Sequence, residues 1–294
     1  MRNIKILGYP KTENMRGPDY GMRSLCDELD RVGWPDWLSI SEIPDLRPKS
    51  IPLIWRWSSK NIINYYMKNN IDFILGINIL FNDCINCLPI VNQSELEILH
   101  SKNLLGVITD GHGYADVIKY TCRNKLRVDK LSYPPTYNAG VVSADVDYLI
   151  YNKNKFDMHI FAGELEKRLS KIGTTKTVHY GEFNQKYYHG LLANTKTLIY
   201  LSSCDRYPVS VCEALAAGCR IIGCHNSCEP VYDIPFDKPF YKITHFPFAH
   251  DDIINDLAQM TEWTLQDKTD LAGTAKSVYD GWANEFINIL EEYR

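Results

Sequence analysis

The sequence predicts an α/β protein made of two doubly wound halves, each a parallel sheet covered by helices. Three observations lead there. Short runs rich in Ile, Leu, Val and Tyr alternate with amphipathic stretches of helical length, which is the grammar of strand–helix–strand units. The alternation stops at Pro134-Pro135 and the run 136–144, then restarts at residue 147. The chain has 294 residues, enough for two domains of roughly 150 residues, each with its own core.

The elements follow in order. Residues 3–9 read as a buried first strand. Residues 19–32 form a helix, with Met22, Leu25, Cys26, Leu29 and Val32 on one face and Gly33 at its end. Segments 37–40 and 52–57 are strands, 61–68 a helix, 72–77 a strand, 93–101 a helix and 104–109 a strand. A helix over 114–122 and a short strand at 130–133 close the half. The proline pair and 136–144 make the linker, because proline keeps the residue before it out of the helical region and stiffens the chain. The second half runs strand 147–151, helix 159–172 closed by Gly173, strand 177–180, helix 185–192 and strand 198–202. Then come helix 210–217, with Gly218 at the left-handed position past its end, and strands 220–223 and 240–244. Helices 251–263 and 269–292 finish the chain. Two Rossmann-like domains facing each other across a cleft result, with ligands expected at the C-terminal ends of the strands. The boundaries read 1–138 for an acceptor domain and 145–268 for a nucleotide-sugar domain, with 269–294 a last helix crossing back to the first.

Composition narrows the class. The chain is 45% hydrophobic and 23% charged, which excludes a disordered, collagen-like or coiled-coil protein. No apolar run reaches the ~18–20 residues that span a bilayer. The start MRNIKILGYP is basic, but Gly8 and Pro10 break its apolar stretch, so it reads as a strand and not as a signal peptide. A cytoplasmic location is the expectation. Net charge is −4, so the chain is no generic polyanion binder. One basic stretch, Lys119, Arg123, Lys125, Arg127 and Lys130, reads either as a solvated face or as a surface for an anionic acceptor or a peripheral membrane contact. Nine cysteines without a signal peptide read as reduced thiols. Cys84-x-x-Cys87 and the loose set Cys219, Cys224 and Cys228 fit small buried side chains better than zinc, and no metal is expected.

The chemistry concentrates in residues 197–224, TLIYLSSCDRYPVSVCEALAAGCRIIGC. A buried strand runs into a loop carrying Asp205. A helix begins near Ser210 and carries Glu213, and its small residues Ala214, Ala216, Ala217 and Gly218 allow close approach to the sheet. A helix N-terminus favours anions such as a diphosphate, and ionised carboxylates bind hydroxyls through charge-assisted hydrogen bonds. Acids are 36 of 294 residues, so the spacing alone says little. Ser210-x-x-Glu213 also fits a capping box, in which the Glu turns back to the cap residue.

The arrangement Asp205-x7-Glu213-Ala214-Leu215-Ala216-Ala217-Gly218, with the lead-in Tyr180-Gly181, resembles the donor-site signature of retaining glycosyltransferases of the GT-B fold, the family 4 or group 1 type. The resemblance covers residues 145–227; elsewhere only the order of elements carries it. It implies an α/β fold of GT-B type and transfer of a hexosyl or pentosyl group from a UDP- or GDP-linked sugar. The transfer would proceed with retention, and no cofactor or metal would be needed beyond the donor. Asp205 would hold sugar hydroxyls and Glu213 the ribose. Tyr207, Pro208, Val209 and Ser210 would line sugar and phosphate. Lys153 and Lys155 would meet the diphosphate, with Lys155 offsetting charge on the leaving group; a solvated turn is the bland reading of both. Two departures stand out. Asp205 is a methylene shorter than the usual Glu, and Pro208 replaces a Gly and has no N–H to give, for which Arg206 would supply a cation.

On the acceptor side, Asp110 and His112 in Thr109-Asp110-Gly111-His112-Gly113 follow a strand at a cleft-facing place, from which either would contact the acceptor or the donor sugar, with His112 a candidate catalytic residue beside Asp205 and Lys155. A satisfied loop histidine is the bland reading. Gly17 after the first strand and Asn78 after the strand at 72–77 are further candidates. The acceptor implied is a saccharide or lipid-linked glycan. A hydroxymethylated DNA base is a less favoured acceptor, which would engage the basic stretch and bind in a salt-dependent way. The competing class is a non-catalytic nucleotide-sugar-binding module. A dinucleotide protein is disfavoured, because no G-x-G-x-x-G follows the first strand. Oligomeric state is not legible.

Overall fold

The computed structural model describes residues 3–7, 31–33, 37–38, 50–54, 60–76, 84–85, 88–89, 93–109, 112–131, 140–153, 157–202, 208–225 and 228–293. The chain divides into two compact units, Met1–Ser132 with Gly281–Arg294, and Tyr133–Asp280.

The first unit runs β1 (Asn3–Leu7), β2 (Trp37–Leu38), β3 (Ser50–Ile54), α1 (Lys60–Lys68) and β4 (Phe73–Leu75). A small antiparallel pair follows, β5 (Cys84–Ile85) and β6 (Leu88–Pro89), then α2 (Gln93–Leu99), β7 (Leu104–Thr109), α3 (His112–Thr121) and β8 (Arg127–Lys130). Six strands form one parallel sheet in the order β2-β1-β3-β4-β7-β8. Its core gathers Ile54, Phe73, Leu75 and Val107 from strands with Ile63, Tyr66, Ile98, Leu99 and Ile118 from helices. Helix α3 ends where Arg123 and Asn124 take positive φ, 51° and 56°.

Two expectations are corrected here. The helix expected over 114–122 begins at His112, so His112 opens α3 and is not a loop residue. The strand expected at 130–133 lies at Arg127–Lys130. It is a half-buried edge strand, polar except for Val128, so no apolar run marks it. Arg127 bonds Asp129 at 2.7 Å and Glu292 at 2.6 Å. The basic stretch is therefore partly neutralised within the chain.

The second unit runs β9 (Val146–Asn152), α4 (Asp157–Leu169), β10 (Thr175–His179), α5 (Gln185–Asn194), β11 (Thr195–Leu201), α6 (Val209–Ala216) and β12 (Arg220–Cys224). A 3-10 turn (Glu229–Asp233), β13 (Tyr241–Thr244), α7 (His250–Gln259) and α8 (Leu265–Asp280) complete it. Its parallel sheet has the order β10-β9-β11-β12-β13. Leu149, Ile150 and Tyr151 are consecutive and all buried, as expected of a parallel strand covered on both faces. One face packs Ile150, Ile199 and Ile222 under Leu165, Leu169, Ile253 and Leu257.

The single helix expected over 269–292 is two helices, α8 and α9 (Trp282–Glu291), with Gly281 as the N-cap of the second. The buried stripe Leu271, Ala275, Tyr279, Trp282, Phe286, Leu290 keeps helical spacing across the break, so the pattern alone shows no interruption. Glycine, the weakest helix former after proline, sits where the chain changes unit. In the first unit the chain end is fixed by the Tyr293 hydroxyl, which donates to Asp129 Oδ2 at 2.7 Å, and by Arg127 stacked 4.3 Å over the Tyr293 ring.

Candidate functional site

The second sheet has its switch point between β9 and β11. From β9 the chain goes one way to β10, then returns to place β11 on the other side. Ligands of doubly wound sheets bind outside the strand C-termini at such a crevice. Leu201 stands opposite Asn152, and the Lys153 amide donates to the Leu201 carbonyl at 3.1 Å. The segments leaving β9 and β11 therefore depart side by side. One begins at Lys153, and the other leads to Pro208 and the start of α6. Lys153 holds its ammonium 5.8 Å over the ring of Tyr180. Tyr180 leaves the adjacent strand β10, is 46% exposed, and donates its amide to the Asn152 carbonyl at 2.9 Å. Gly181 follows at φ +87°, a left-handed conformation that suits glycine and lets the chain turn away at once.

Helix α6 starts earlier than expected. Pro208 is its N-cap, at φ −67° and ψ 118°, and makes no side-chain capping bond. The φ is proline's own value, and a missing N–H is harmless at a helix start. Val209 and Ser210 form the first turn, so the capping box on Ser210 is not made. The Ser210 carbonyl instead accepts from the Tyr188 hydroxyl at 3.2 Å.

Glu213 has a different partner. It is 4% exposed, and His189 Nε2 of α5 donates to its Oε1 at 3.1 Å in a buried contact. Beneath lies an aromatic floor: Tyr151 stacks on Tyr200 at 5.3 Å and meets Tyr188 edge-on at 5.3 Å. Burial, with Glu213 adding to it, pushes the Tyr188 hydroxyl well above its ordinary pKa, so Tyr188 stays a neutral donor.

The far end of α6 is anchored firmly. Gly218 has φ +72°, and a Cβ there would lie 1.8 Å from the Lys268 carbonyl oxygen. Lys268 is fully buried, and its ammonium donates to the carbonyls of Leu192, Thr195 and Ala217. All three of its protons are thereby used. The helix that carries Glu213 is thus pinned at its C-terminus by a satisfied internal cation.

The site residues expected from the sequence fall into two groups. Lys153, Tyr180, Gly181, Pro208, Val209, Ser210 and Glu213 lie at or next to the C-terminal edge of the second sheet, on the segments just described. Asp205, Arg206, Tyr207, Lys155, Gly17, Asn78 and Asp110 lie outside the described residues, as does the side chain of His112. Sequence reasoning missed His189, Asn152, His159 and His179. His189 had a faint signal: it sits between Tyr188 and Leu192 on an apolar helix face, where a polar group needs a partner. Among the described residues no group of three or more His, Cys, Asp or Glu is gathered for a metal. The single S–H of Cys219 points between the Leu192 and Thr195 carbonyls, and Cys224 donates to that of Ser202. No helix among the described residues is long and apolar enough to cross a membrane.

Comparison with known proteins fixes the class of fold. No family model matches the sequence, and no curated protein does. Solved structures do match. Anabaena HepE in complex with UDP and glucose superposes with a TM-score of 0.64 at 10% identity, over 99% of this chain and 100% of that one. Sucrose-phosphate synthase from Thermosynechococcus elongatus gives 0.60 at 10% identity, over 100% and 99%. The GtfA/B complex gives 0.57 at 10% identity, and there this chain spans only 62% of the other. The chain is an α/β protein with the GT-B fold.

Proposed function

We propose that this protein is a nucleotide-sugar-dependent glycosyltransferase that holds its donor at the C-terminal edge of the second sheet. The observation that carries the reading is the switch point: a cation-bearing segment and the entry to α6 leave neighbouring strands in register, with the acid Glu213 on that helix. The likeness to HepE, solved with UDP and glucose, supports it.

In this reading Glu213 accepts the ribose hydroxyls. A carboxylate has about four acceptor positions, so it can hold hydroxyls as well as His189. Lys153 and Lys155 neutralise the diphosphate, helped by the first-turn N–H groups of α6. Tyr180 and Gly181 line the nucleoside. Asp205 holds the sugar, with Arg206 and Tyr207 beside it. The bond from the anomeric carbon to the leaving phosphate breaks as a bond to the acceptor oxygen forms on the same face, and the acceptor proton passes to the leaving phosphate. Configuration is retained and no metal is required. Orientation of both partners supplies much of the acceleration. Gly17, Asn78, Asp110 and His112 serve the acceptor, a saccharide or lipid-linked glycan. A DNA base is less favoured, since Arg127 is already held by Asp129 and Glu292.

The test is a thermal-shift panel of nucleoside diphosphates and nucleotide sugars, followed by an assay for released nucleoside diphosphate with saccharide acceptors. Stabilisation together with release supports the enzyme. Stabilisation without release favours a binding module, a reading motivated by Asp205 in place of glutamate and Pro208 in place of glycine. No stabilisation by any nucleotide overturns both.

A further inference from the structure

We propose that His179 is a positioning residue that holds Lys153 in place only while its ring is neutral, so that affinity for a nucleotide-sugar donor falls on acidification. The inference rests on the donor reading above and adds a pH dependence to that site.

The geometry is a corner where three elements meet. Strands β9 and β10 end opposite each other, with His179 in register with Asn152. Asn152 is 1% exposed, and its Nδ2 donates to His179 Nδ1 at 3.2 Å. That bond needs a lone pair on Nδ1, so the ring is neutral with its proton on Nε2. On its other side the His179 ring lies flat against His159, in the first turns of α4, with centroids 3.9 Å apart and planes within 6°. One imidazole therefore joins the end of β9, the end of β10 and the start of α4. Lys153 is the residue after Asn152, and its ammonium sits over the ring of Tyr180, the residue after His179.

Protonation attacks both joints. It turns the Nδ1 lone pair into a donor facing the Asn152 donor, and it places a cation face to face with a second imidazole. The groups around the ring pull in opposite directions. Burial and His159 lower the His179 pKa from its ordinary 6.5, while Glu182 and Glu166 raise it and lose. The neutral corner therefore persists through neutral pH and fails only below the ordinary imidazole range.

The experiment measures dissociation constants for UDP-glucose and GDP-mannose as probes, from about pH 7.5 down to the pH at which NMR shows the His179 ring protonated. Their diphosphates are diesters with constant charge over that range. The wild type is expected to weaken about tenfold, the worth of one charge-assisted contact. His179→Gln keeps an acceptor for Asn152 but has nothing to titrate, so its profile is flat. His159→Phe keeps a stacked ring and removes a neighbour that pushes the His179 pKa down, so its acid limb moves to higher pH. A His179→Gln profile that matches the wild type overturns the proposal. Should neither probe bind at any pH, the donor reading falls, and amide exchange then decides the inference by itself. Protection of the Lys153 and Tyr180 amides is expected to drop in step with the His179 imidazole titration followed by NMR; protection indifferent to that titration overturns it.

Discussion

Replacing Glu213 by Gln separates what this residue does for the fold from what it does for a ligand. The side chain is 6% exposed and that of His189 is 7% exposed, and the two meet at 3.1 Å. Glutamine has nearly the same volume, and its carbonyl oxygen can still accept from His189 Nε2. At that contact the fold loses the charge-assisted part of the hydrogen bond, about 1 kcal/mol. Alanine would instead strand a buried imidazole N–H and open a cavity, at about 2–4 kcal/mol. The ligand tells the two roles apart. An ionised Glu213 gripping ribose hydroxyls contributes about 1.5–3 kcal/mol, so Glu213→Gln should weaken nucleotide binding by roughly ten- to a hundredfold at nearly unchanged stability. Urea unfolding reports the first quantity and isothermal titration with UDP or GDP the second. Unchanged affinity in a folded Glu213→Gln protein would refute the ribose role and leave Glu213 as a purely structural partner of His189.

Other consequences concern the frame around the site. Gly218→Ala forces a Cβ into the left-handed region and against the Lys268 backbone, so it should cost about 3 kcal/mol or more by denaturant unfolding. Lys268→Met removes the ammonium that satisfies three buried carbonyls; a loss of about 3 kcal/mol or more is expected in the same assay, and a near-neutral result would deny the anchoring role. Asp267 is pushed up by burial, but bonds from Lys238 and Thr264 outweigh this and hold its carboxyl below the usual range. Its contribution is therefore present above its unfolded pKa and lost as pH falls through the folded one. Asp267→Asn should destabilise by about 1 kcal/mol near neutrality, with the difference from wild type closing at strongly acidic pH.

How much of this was legible depended on range along the chain. The helix α6 and its small residues stood out because a buried strand, an acid-bearing turn and a Gly-terminated helix follow one another within 28 residues, at 197–224. Its start lies one residue before the position the sequence suggests. Ser210 has the chemistry of a cap, yet Pro208, whose fixed φ suits the first turn, took the cap position. The last helix reads as unbroken in the sequence because its apolar stripe runs through Gly281 without losing phase. Strand β8 was displaced because an edge strand needs no apolar run.

The sequence by itself determined the alternation of strands and helices, and with it the parallel sheets, the left-handed glycine after α6 and the small-residue face of that helix. All of these follow from periodicity and local backbone preference. Tertiary structure alone decided that Glu213 meets His189, 24 positions earlier, that His179 joins Asn152 to His159, and that Lys268 ties together three carbonyls at the ends of two helices. Such pairings depend on which strands lie side by side and on how far each helix is turned about its axis. Neither is encoded in the neighbours of any one residue.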